Sequence, residues 1–128
     1  MRFLAALALI FLLACGGKTR AEWKLPAALE GGWKLAALPP GRETYDLVAK
    51  LSPRKSLMGS YEGSGKVLVA AFELANGPAA FEQVQKWRAQ PGKIVFYRGP
   101  WFVVIESEGM DNAQLSRMAG QIEKTMPE

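Results

Sequence analysis

The chain has no histidine, and its only cysteine is Cys15. Without imidazole it lacks the commonest general base, and without a second thiol it can form no internal disulfide. Zinc sites built from Cys and His are excluded on the same count. Long apolar runs are missing too: the longest, Phe3 to Leu13, has eleven residues, against the roughly 20 needed to span a bilayer as a helix. Charge is not blocked by sign. The 16 Lys and Arg and the 12 Asp and Glu are scattered, with neither the basic stripe nor the exposed aromatic spacing of a nucleic-acid binder.

The N-terminal residues have an order of their own. Met1-Arg2, the apolar run and the small Ala14 before Cys15-Gly16 make a cleavable secretory leader. The tetrapeptide Leu12-Leu13-Ala14-Cys15 resembles the lipobox of bacterial lipoproteins. That resemblance implies a diacylglyceryl group on the Cys15 sulfur, cleavage before it, and an acylated Cys15 as the first mature residue. In the sorting rule of such proteins Asp after the Cys retains the chain at the inner membrane, so Gly16 points to the outer membrane, facing the periplasm. Two or three acyl chains hold a protein firmly where one is marginal, at about 0.8 kcal/mol per buried CH₂.

Removal of residues 1–14 leaves 114 of the 128 residues and takes only Arg2 from the net charge of +4. One domain fits that length, with packing in place of disulfides. Residues 15–21 read as the lipidated Cys and a tether whose six residues after Cys15 reach at most about 20 Å. Lys18, Arg20 and Lys24 lie where an anionic surface would attract each by about 1 kcal/mol. Residues 22–128 form the expected domain.

Its pattern is α+β. Trp33 to Leu38 predicts a first strand, and Thr44 to Leu51 a short helix closed by Ser52-Pro53, because the residue before Pro disfavours helix. Leu57–Tyr61 and Lys66–Glu73 predict a hairpin around Glu62-Gly63-Ser64-Gly65, whose glycines can supply positive φ. A helix capped by Asn76, with Pro78 in its first turn and Phe81, Val84 and Trp87 as its stripe, runs toward Pro91-Gly92. Lys93–Tyr97, the turn Arg98-Gly99-Pro100 and Trp101–Ser107 repeat the hairpin, and Asp111 with Gln114 sets a capping box for a second helix bearing Leu115, Met118, Ala119 and Ile122. The order is βα-ββα-ββα around an antiparallel sheet. Both faces of Lys66–Glu73 and of Trp101–Ile105 are apolar, so both need cover. The two long helices are expected on one face and the segment Trp23 to Leu51 on the other, with a dimer or partner contact as the alternative cover.

Few residues invite chemistry. Gly59 to Lys66 is one residue too long between its glycines for a phosphate loop and has Val67 where a hydroxyl is needed. Glu106 and Glu108 stand two apart at a strand end, the arrangement of a carboxylate pair for glycoside hydrolysis or a weak cation site, and more simply a solvated surface. A serine nucleophile would need a lysine base. Arg98 and Trp101, flanking a tight turn, are the candidates for exposed contact with a partner. Metal and cofactor sites are not expected.

The elements Leu25-Pro26, Gly32-Trp33, Val67 to Leu74, Ala80-Phe81, Trp87-Arg88 and Phe102 to Ile105 resemble a group of bacterial envelope proteins of unknown function. In that group an alternating strand leads into an Ala-Phe helix and a second hairpin and helix close the domain. The glycine-rich middle segment of its larger members is absent here. The resemblance implies fold and cellular place without an activity. Together these features lead to a lipid-anchored, non-catalytic envelope binding or accessory domain, with an envelope protein as a possible partner; the alternative is an envelope enzyme or cation binder using Glu106 and Glu108.

Overall fold

A computed structural model describes residues 22–37 and 50–127. The elements are β1 (Ala28–Leu29), β2 (Trp33–Ala36), β3 (Lys55–Glu62), β4 (Lys66–Glu73), α1 (Gly77–Lys86), β5 (Lys93–Arg98), β6 (Trp101–Glu106) and α2 (Asn112–Thr125). All six strands form one sheet in the order β1-β2-β3-β4-β6-β5, and every neighbouring pair is antiparallel. The α+β class is that expected. The opening differs, because β1 and β2 form a hairpin turned by Gly31 and Gly32 at φ 91° and 83°, values that glycine reaches without strain. The expected helix over Thr44–Leu51 lies outside the described residues except for Lys50 and Leu51, which are helical. Ser52, at φ 45°, and Pro53 end it.

β6 inserts between β4 and β5, so the connection through α1 joins two strands that run the same way on either side of it. This separates the helices. Leu115, Met118, Ala119 and Ile122 of α2 pack on Tyr61, Val67, Val69, Ala71, Trp101, Val103 and Ile105, with Trp23, Leu25 and Leu29 closing the same face. Ala80, Val84 and Trp87 of the α1 region pack on Ala70, Phe72, Phe102 and Val104 on the opposite face, where Leu51 joins them. The expectation of both helices on one face is therefore corrected: a helix that crosses over β6 from β4 to β5 and a helix that follows β6 are free to take opposite sides, and they do.

Local chemistry accounts for the helix ends. Asn76 Oδ1 accepts from the Ala79 amide at 2.8 Å, and Pro in the first turn loses nothing by its missing N–H. Asp111 and Gln114 form the reciprocal box, at 2.8 Å and 3.2 Å. In the β3–β4 turn, Gly63 and Gly65 are not in the left-handed region. Space favours glycine at 63 instead, since a Cβ there would lie 3.0 Å from the Trp33 ring and press it outward. The β5–β6 turn does use positive φ: Gly99, at 54°, followed by Pro100 in a two-residue loop, fits the type II′ pattern. Fully buried Tyr61, Phe72, Phe102, Ile105, Leu115 and Ile122 each contribute about 1.5–3 kcal/mol. Among the described residues no helix is long and apolar enough to cross a membrane.

Candidate functional site

The sheet has two distinct ends. Trp23 is fixed at one of them, where its indole N–H donates to Thr125 Oγ1 at 3.1 Å and its ring meets Trp101 at 5.0 Å. Glu22 ion-pairs there with Lys55 at 3.0 Å. That lysine's proximity and hydrogen bond hold the Glu22 carboxyl below its ordinary pKa. Strand register places Lys55, Glu73, Trp101 and Arg98 in a row at this end; at the other it pairs Glu62 with Lys66 and, two residues further in, Leu68 with Glu106 and Glu106 with Lys93.

A groove of about 1280 Å³ opens at the second end, between the β3–β4 turn, the α1–β5 loop and the β6–α2 loop. Its frame is held by one backbone–backbone bond and two bonds between side chain and backbone. The Ser107 amide donates to the Gly92 carbonyl at 2.8 Å, and the Gly92 amide donates to Asn112 Oδ1 at 3.0 Å. Ser107 Oγ donates to the Lys66 carbonyl at 2.8 Å. Three separate loops are thus tied through Ser107 and Gly92. Gly92 has φ 73°, and a Cβ there would lie 2.5 Å from the Ser107 carbonyl oxygen, so this approach of two backbones admits only glycine.

The lining mixes polar and apolar surface in about equal parts, and its charges are mixed in sign. Glu106 pairs with Lys93 at 3.5 Å, and the Lys93 ammonium stands 5.8 Å from the Trp87 ring centre. Asp111 is occupied as the cap of α2. Exposed Glu108 and Lys66 complete the charges, and Leu68 and Met110 are the large apolar side chains. Small-molecule pockets enclose about 300–1,000 Å³; this groove is wider than that range and open to solvent. Among the described residues, no group of three or more His, Cys, Asp or Glu is placed to hold a metal ion.

The candidate residues fall as follows. Glu106 and Glu108 line the same groove, Glu106 at the end of β6 and Glu108 in the loop after it. Trp101 is 4% exposed, which corrects the expectation of an exposed contact residue: in β6 its side chain faces α2 and lies beneath Trp23. Arg98 ends β5 and pairs with Glu123 of α2 at 3.5 Å, so it joins sheet to helix. Ser52 and Lys55 stand at the Ser-x-x-Lys spacing, yet Ser52 is in the left-handed turn after Leu51 while Lys55 begins β3 and pairs with Glu22. Cys15 lies outside the described residues. Ser107, Gly92 and Asn112, which frame the groove, were not legible as site residues; Pro91-Gly92 carried a signal only of helix termination. Compared with known protein families, curated proteins and solved structures, the chain matches none.

Proposed function

We propose that this chain is a lipid-anchored, non-catalytic binding or accessory domain of the bacterial cell envelope, attached through Cys15 and presenting its open groove to an envelope partner. The observation that carries the reading is the lipobox Leu12-Leu13-Ala14-Cys15, with the fold already under way at Trp23. Seven residues separate Cys15 from Trp23, a span of at most about 30 Å, so the domain stays close to the membrane. The groove lies at the end of the sheet remote from Trp23, which leaves it open while the anchor is seated. Gly16 after the Cys favours the outer membrane, on its periplasmic side. A non-catalytic role is supported by a sequence without histidine and with its one thiol at the lipid site.

The test is metabolic labelling with palmitate. Wild type is expected to carry label and to be processed, whereas Cys15→Ala remains unlabelled and about fourteen residues longer. Unlabelled wild type cut at another position would overturn the anchor. The second reading, an enzyme or cation binder, is favoured by one observation, the shared groove position of Glu106 and Glu108. A Glu106→Gln, Glu108→Gln variant decides between them: unchanged metal content and cellular phenotype support the binding domain, and loss of either with the fold intact supports the alternative.

A further inference from the structure

Among the described residues one long edge of the sheet is unpaired: β5 stands last in the strand order and pairs with β6 alone. Its outward backbone groups can be identified. Arg98 and Trp101 flank a two-residue turn and so exchange hydrogen bonds, after which bonding alternates along the hairpin. The Ser107 amide bonds to the Gly92 carbonyl at 2.8 Å, in step with that alternation, while the Lys93 amide turns away to the Gln90 carbonyl at 3.3 Å. Ile94 and Phe96 therefore bond inward to β6. Val95 and Tyr97 present their N–H and C=O groups to the open edge.

Beyond Lys93, whose amide the Gln90 carbonyl occupies, nothing in β5 blunts that edge. Its six residues contain no Pro, its register with β6 is continuous, and the cations at its ends are tied to Glu106 and Glu123. Native edges ordinarily carry such protections against pairing. Two exposed aromatic rings lie beside it, Tyr97 of β5 and Phe81 of α1, with centres 5.3 Å apart. Among the described residues only Leu35 joins them as a large exposed apolar side chain.

We propose that two copies of this chain pair through β5, antiparallel, about a two-fold axis at Val95. The strand is self-complementary in that register. Ile94 meets the partner's Phe96, Val95 meets the partner's Val95, and Tyr97 meets the partner's Lys93, giving apolar and cation–aromatic pairs on both sides of the axis. Lys93 already stands over Trp87, so Phe81, Tyr97, the partner's Lys93 and the partner's Trp87 form a continuous belt on the α1 face. Centring the axis on Phe96 instead would set Ile94 against the partner's Arg98. The axis is perpendicular to the strands, so the two tethers leave opposite ends, and both anchors reach one membrane when the strands lie along its surface. The pairing itself does not depend on the lipid.

Val95→Cys in the full chain tests the axis. Non-reducing electrophoresis is expected to show a band of twice the mass that reductant removes, absent from wild type, whose only cysteine is Cys15, and absent from Phe96→Cys. Sedimentation in detergent tests the pairing without a crosslink: Tyr97→Lys, which sets two cations face to face, should weaken association at least tenfold, whereas Tyr97→Glu retains it. A wild type that sediments as a monomer, a doubled band in Phe96→Cys in place of Val95→Cys, or equal loss in both Tyr97 variants would each overturn the proposal.

Discussion

The rings of Trp23 and Trp101 meet edge to face, with centres 5.0 Å apart and planes at 71°. This contact joins the first described residues of the chain to the start of β6, and a hydrogen bond from the same indole reaches Thr125 near the other terminus. Leu25 and Leu29 extend the seal along the face that α2 covers.

Trp23→Ala should therefore destabilise the domain as a core truncation does, although Trp23 lies near the chain's beginning. Aromatic-to-alanine changes in cores cost about 3–5 kcal/mol, and the half-buried position of Trp23 lowers the expected loss to about 2–4 kcal/mol. Urea denaturation followed by far-UV circular dichroism measures it. A loss below about 0.5 kcal/mol, the range of ordinary surface changes, would mean that residues 22–37 do not seal this face.

Gly92 and Gly109 make a matched pair for testing the groove's frame. A methyl group at Gly92 meets the Ser107 carbonyl oxygen at 2.5 Å on a left-handed backbone, while Gly109 has open space and an unstrained φ. Gly92→Ala is expected to cost about 1–3 kcal/mol and to loosen the Ser107 and Asn112 contacts. Gly109→Ala should be nearly neutral. Thermal denaturation gives the stabilities, and amide exchange at Ser107 reports the frame; equal melting of the two variants would contradict the geometry.

What could be read beforehand divides along physical lines. The caps at Asn76 and Asp111, the stripe Leu115, Met118, Ala119 and Ile122, and both central hairpins follow from contacts within a few residues, and they stand where local chemistry put them. The side taken by each helix depends on β6 entering between β4 and β5, a pairing between residues some thirty apart that no local pattern encodes. The same limit explains Trp101. Beside a turn it reads as exposed, and only the return of Trp23 across the sheet buries it. In the groove, Glu106 and Glu108 could be found as a spaced pair, but Ser107, Gly92 and Asn112 act through bonds between groups brought together from separate loops.

Tyr61 contributes a pH response on the alkaline side. Its hydroxyl donates to the Pro26 carbonyl at 2.6 Å from a fully buried side chain, and burial raises its pKa well above the ordinary tyrosine value. The folded state thus keeps a proton that the unfolded chain gives up near pH 10. Stability from this group is complete below about pH 10 and falls as pH rises from there toward the folded value, by up to about 1.4 kcal/mol per pH unit. Tyr61→Phe leaves the Pro26 carbonyl without its donor and should lose about 1–3 kcal/mol at neutral pH. In return it removes the tyrosine's share of the alkaline decline, so the difference between the two proteins should narrow above about pH 10. Urea midpoints at pH 7 and at a series of values above pH 10 measure that difference, and parallel curves would show that the Tyr61 proton is not held more tightly by the fold than by the unfolded chain.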